Sequence, residues 1–187
     1  MNRLLILSKG LRKVLIVTLL VPVFSIFLSA CTVTSTQGVM LLSAFRGQQD
    51  ELANYRWHIT LGGHQSDVVA VALPDNFLFT NDKDDAVYFN GWVITAVSGL
   101  NLPSEILIED SDGSRRFTVG KRQTALHRCG PWRMENHKDS ITHLQDCESD
   151  TVGDYQNRID LDGAGSIVKI AQYLAGGELL VLEKKSL

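Results

Sequence analysis

The chain has 187 residues, 18 basic and 21 acidic, for a net charge of −3. Four of the basic residues (Arg3, Lys9, Arg12, Lys13) fall in the first 30 positions, so the remainder holds 14 basic against 21 acidic residues, or −7. That balance argues against a nucleic-acid partner, which needs a basic surface, and against peripheral attraction to anionic lipid.

In chain order the first element is a leader. The basic start precedes an unbroken apolar stretch from Val14 to Ala30, and then Leu28-Ser29-Ala30-Cys31 sets small residues before a cysteine. This is the order of a secretory signal whose cut is followed by an acylated thiol. The expected organisation is a lipoprotein signal peptide over 1–30, a lipidated tether over 31–38, and a single β-rich periplasmic domain over 39–187. Cys31 is the expected lipid-attachment residue. Several acyl chains anchor a protein stably, where one alone is marginal. Thr32 in place of aspartate points to the outer membrane. An uncleaved anchor is a rival, since the stretch is 17 residues long, just short of a comfortable span. Pro22 in its middle and the lack of a basic cluster after it argue against that rival. An ordinary cysteine after a cleaved Ser-Ala site is the other alternative.

After the Thr/Ser-rich tether, residues 39–54 are expected to form one short helix carrying Met40, Leu41, Ala44 and Leu52. From Tyr55 the period changes to two. Tyr55, Trp57, Ile59 and Leu61 alternate with Arg56, His58 and Thr60, the pattern of a strand with one buried face. Gly62-Gly63 turns the chain into a second strand over 67–73, and a third follows over 77–80. Asn90-Gly91, Asp112-Gly113 and Asp162-Gly163 each sit between strand-like runs, and these are favoured type I′ hairpin pairs. Gly176-Gly177 precedes a last strand over 179–183. The expected fold is mainly β: an antiparallel meander forming a sandwich or an open half-barrel.

Cys129 and Cys147 remain after Cys31, and an exported chain with an even number left over most often pairs them. A zinc site with His127, His137 and His143 is the rival, but no two ligands are closely spaced as structural zinc sites require. No metal or other cofactor is expected beyond the covalent lipid on Cys31. The five histidines, His58, His64 and these three, are expected at the surface. Asp82, Asp84 and Asp85 lack the spacing of a calcium loop and read as a solvated turn. No catalytic motif such as G-x-S-x-G or H-E-x-x-H occurs, so no catalytic residues are assigned. Among the aromatics, Trp92 stands out beside a hairpin tip, where burial is least assured, and is the expected contact for a partner or glycan.

The order of segments carries a resemblance. YRWHITLGGHQSDVVAVAL, then LFTNDKDDAVYFNGWVITAVSGLNLP with its element Thr95 to Asn101, and the closing stretch YQNRIDLDGAGSIVKIAQYLAGG resemble the YjbF/GfcB family of capsule and exopolysaccharide operon lipoproteins. The resemblance covers most of Tyr55 to Gly177, with Lys169, Gln172, Tyr173 and Leu174 at matching positions. Family members usually carry Gly-Arg at the middle hairpin tip, where this chain has Gly91-Trp92. The resemblance implies a non-enzymatic outer-membrane lipoprotein, facing the periplasm, that acts in polysaccharide secretion beside an outer-membrane β-barrel or export component. A carrier of lipid or another hydrophobic ligand on a half-barrel is the alternative, and a polysaccharide-modifying enzyme the third reading.

Overall fold

A computed structural model of the chain describes residues 56–185, and all of their regular structure is β-strand. The leader, Cys31, the tether and the helix expected over 39–54 lie outside the described residues. The strands are β1 (Arg56–Leu61), β2 (His64–Ala72), β3 (Phe77–Thr80), β4 (Ala86–Phe89), β5 (Ile94–Ser98) and β6 (Ile106–Ser111). There follow β7 (Ser114–Val119), β8 (Arg122–Cys129), β9 (Arg133–Asn136), β10 (Ser140–Ser149), β11 (Gly153–Asp162), β12 (Ile167–Tyr173) and β13 (Leu179–Lys184).

Each strand pairs antiparallel with its successor, as a meander requires, except at β8. There Gly130-Pro131-Trp132 interrupts the strand, and both β8 and β9 pair with β10. The expected antiparallel all-β meander is present, and it closes completely. β13 pairs with β1, and β10 pairs with β11, so 12 strands form a ring with β9 appended to β10. Closure satisfies the edge groups that an open half-barrel would leave exposed.

A round barrel of that many strands would enclose a wide lumen. This one is flattened. Gln172 on β12 donates from Nε2 to the Trp92 carbonyl at 2.6 Å and accepts at Oε1 from the Ile94 amide at 3.1 Å. β5 and β12 stand on opposite sides of the ring, so these bonds tie one wall to the other. The gap between the walls is filled by alternate side chains. Trp57 and Ile59 from β1, Phe77 and Phe79 from β3, Phe89 from β4, Ile94 from β5, and Leu180 and Leu182 from β13 are essentially without exposed surface. Trp57 and Phe79 meet edge to face, with ring centres 5.0 Å apart.

Turn chemistry explains most of the corners. At Asp112-Gly113 both φ angles are positive (50° and 75°) and Ser111 pairs with Ser114, the two-residue turn expected there. The other two Asx-Gly pairs differ from expectation. Asn90-Gly91 opens a four-residue connection, since Phe89 pairs with Ile94. The Asn90 carboxamide oxygen takes the amides of Trp92 and Val93, which holds the wider loop. Asp162 does the same for Ala164 and Ser166.

The most unusual backbone follows β5. Gly99, Leu100 and Asn101 are all left-handed, with φ of 70°, 53° and 59°. Each non-glycine residue there costs about 1–2 kcal/mol, so something must hold the turn. Asp85 does: its Oδ1 accepts the Leu100 amide at 2.7 Å, while Leu100 buries its side chain in the core. Asp85 is therefore not part of a solvated turn, although Asp82 and Asp84 are exposed. Burial alone would raise its carboxyl. The Leu100 amide, the Asn81 carboxamide at 2.9 Å and His64 at 3.2 Å outweigh that and hold it at about 2.

Candidate functional site

Three places combine chemistry with geometry: the outer face of β2–β6, the cluster around Trp92, and the polar interior beside the cysteines.

The outer face follows from register. Because successive strands pair directly, Val71 stands opposite Leu78, Leu78 opposite Tyr88, Tyr88 opposite Ala96 and Ala96 opposite Leu107. These outward residues form one lateral apolar row across five strands. Its two ends, Val71 and Leu107, are each 41% exposed. Val69 on β2 and Leu73 just past its end add to the exposed apolar surface, at 44% and 37%. Single exposed apolar residues are ordinary, but a continuous row over neighbouring strands marks a contact surface.

Trp92 sits in the four-residue loop between β4 and β5. It is half-buried, and its ring lies 5.4 Å from Trp132 and 5.2 Å from His143, edge-on to the latter. The Gln172 bond to its carbonyl fixes the loop against the opposite wall. His143 is half-buried, not a surface group, and burial pushes its pKa below the ordinary value.

Cys129 and Cys147 are directly opposite each other on β8 and β10 and form a disulfide, with Cα atoms 4.1 Å apart. Two residues back along β8 is His127, which has no exposed surface and is not the surface group its polarity predicts. Strand alternation explains this. β7 must turn Phe117 inward, so Arg115, two residues earlier, points inward too. Arg115 stands opposite His127, and both are buried. The Arg115 guanidinium donates to Asp110 at 3.2 Å and to the Gln145 side-chain oxygen at 2.9 Å. His127 Nδ1 shares a hydrogen bond with the Tyr155 hydroxyl. Asn157 donates to Gln145 and to Cys147 Sγ, and accepts from the Tyr173 amide. Burial, then the Arg115 charge, pushes the His127 pKa down, and burial pushes Tyr155 up to about 12.

Behind this cluster, β8, β10 and β11 carry an open depression of about 780 Å³ lined by Arg128, Asp146, Glu148 and Gln156. Two of its carboxylates are engaged: Arg128 pairs with Glu148, and Arg133 and Gln156 bind Asp146. His137 is exposed on the turn after β9, and His58 pairs with Asp67 across β1 and β2. Sequence reasoning missed the Arg115–Gln145–Asn157 network, whose only signal is polar residues at inward positions of strands. No family model and no curated protein matches the chain.

Proposed function

We propose that the protein is a non-enzymatic, lipid-anchored outer-membrane lipoprotein that works by its outside surface as an accessory of capsule or exopolysaccharide export. In this reading Cys31 carries the lipid, the barrel faces the periplasm, and the resemblance to the YjbF/GfcB lipoproteins names the process. The observation that carries it is the apolar row Val71–Leu78–Tyr88–Ala96–Leu107 on a barrel whose interior is already filled. A carrier would need the inward positions open, and Trp57, Phe77, Phe79 and Phe89 fill that space. An apolar row suits a protein partner better than a hydroxyl-rich polymer, so the partner is an outer-membrane barrel or another export component.

The test is a double variant, Val71→Asp with Leu107→Asp, in cells that depend on the full-length lipoprotein for export. Crosslinking in those cells, followed by mass spectrometry, identifies what the wild-type surface touches. The expected result is a variant that folds and stays membrane-bound but loses both export and capture of the partner. Full export by the folded variant would remove the row from the function. A Cys31→Ala protein that still fractionates with the outer membrane would remove the anchor.

A further inference from the structure

We infer that β9 is a self-pairing edge, through which two copies of this chain join their sheets about a two-fold axis at Met134. The first observation is topological. β9 pairs with β10 alone, so among the described residues its other edge has no partner. The reason is local. The β6–β7 hairpin ends at Gly113, whose carbonyl takes the Cys129 amide at 2.8 Å, and no strand continues alongside the residues beyond. All four residues of β9 are exposed. Met134, at 58%, is the most exposed of the large apolar side chains. Native sheets rarely leave such an edge free, because it presents ready hydrogen-bonding groups to another strand.

Register then says which groups those are. His137 donates to the Ser140 carbonyl at 2.9 Å, and Glu135 and Arg133 stand opposite Thr142 and Leu144. Hydrogen-bonded pairs alternate along an antiparallel ladder, so Glu135 and Arg133 turn their main chain to β10. Met134 and Asn136 turn theirs to the free edge. A second strand must offer its own free-edge residues in return.

Two two-fold registers keep those bonds while setting three residues of β9 against three of its copy, whereas one centred on Asn136 pairs that residue alone before the strand ends. One is centred on Glu135 and sets Glu135 against Glu135 of the partner subunit, which like charges oppose. The other is centred on Met134. It places Met134 against Met134 of the partner subunit, and Arg133 against Glu135 of the partner subunit. By symmetry the opposite pair forms as well. The two charged residues already lie on one side of the strand, 3.5 Å apart, and are about half exposed. Charge complementarity therefore selects one occupant, a second copy, and one register. A strand this short makes a weak contact, of the transient class rather than the obligate one.

The experiment uses full-length Met134→Cys protein in the membranes of the cells that make it. In a hydrogen-bonded antiparallel pair, Cα atoms lie about 5.5 Å apart, within disulfide reach. Mild oxidation is expected to give a band of twice the monomer mass on a non-reducing gel. Leu126→Cys, 50% exposed but on β8, is expected to give none. Adding Arg133→Glu should cut the dimer roughly tenfold, since two attractive pairs become repulsive. Adding Glu135→Arg as well should restore it. A Met134→Cys protein that stays monomeric, that links to a different protein, or whose dimer ignores the charge swap would overturn self-pairing. These outcomes do not depend on the role of the outer row, which Val71→Asp with Leu107→Asp tests separately.

Discussion

Two arcs of the same ring use their inward positions in opposite ways. From β1 to β6 those positions hold Trp57, Ile59, Phe79, Phe89 and Ile94, and packing alone fills the space. From β7 to β11 the apolar Phe117, Ile159 and Leu161 share them with Arg115, His127, Gln145 and Asn157, which are stitched by hydrogen bonds and flanked by the disulfide. The difference shows two routes to one architecture. The apolar arc gains stability from area removed from water. The polar arc gains little net free energy from its buried groups, which roughly offset their own desolvation, and so it depends on a covalent link. The link falls where it is needed, because β8 and β10 share only three paired positions.

The largest test of that contrast is Trp57→Ala in the apolar arc. It removes a fully buried ring that packs on Phe79, and the expected loss is about 3–5 kcal/mol by urea unfolding. A loss below about 1 kcal/mol would mean that the apolar arc does not carry the fold. Next comes the disulfide. Reducing it, or Cys129→Ser with Cys147→Ser, is expected to cost about 3 kcal/mol in the chain-entropy model. If the two arcs differ as described, hydrogen exchange in the reduced protein should rise first in β8 and β10, with β1–β4 still protected.

Gly99→Ala asks whether the left-handed turn is as constrained as its contacts imply. A Cβ there would meet the Asp84 carbonyl oxygen at 2.5 Å and the Asp85 Cα at 2.8 Å, in a conformation that alanine disfavours. The expected cost is about 3 kcal/mol. Gly165→Ala makes a useful control, since it shares the positive φ but meets nothing within 4 Å. It should cost only the backbone strain, about 1–2 kcal/mol. Near-equal losses for the two would show that the Asp85 contact does not discriminate.

The apolar arc was the legible one. Period-two alternation from Tyr55 to Leu61 marks β1 almost to the residue, and the short runs FLFT and EILIE mark β3 and much of β6. Its turn residues also read correctly where both φ angles are positive, as at Asp112-Gly113. Asn90 and Asp162 misled because their side chains bond amides further along and so widen the loop, which a dipeptide preference does not register. The polar arc was nearly silent. RQTALHRC has no apolar alternation to betray β8, so His127 passed for a surface group, and Asp85 was hidden by two truly exposed neighbours. Cysteine pairing was readable because it rests on compartment and count. Closure of the ring was not, since pairing of β13 with β1 is a long-range fact that no local pattern carries.

The smallest expected effects separate the two arcs by pH. Asp85 is held at about 2, below the ordinary carboxyl value of 3.8. Its contribution is therefore complete above about pH 4 and lost as pH falls through about 2. His127 is also held below its ordinary value of 6.5, by burial and by Arg115. The folded state then binds fewer protons there than the unfolded chain, so stability is full above 6.5 and declines as pH falls beneath it. Denaturant midpoints measured from pH 8 to pH 2 should accordingly fall in two stages. His127→Gln should shrink the upper stage to the part that buried His143 contributes, since a neutral amide does not titrate, and Asp85→Asn should shrink the lower. Arg115→Met should shrink the upper stage without touching the lower, because the arginine acts on His127 and not on Asp85. An upper stage unchanged by Arg115→Met would mean that burial alone sets the histidine, and that the arginine charge is not felt by the imidazole across the β7–β8 ladder.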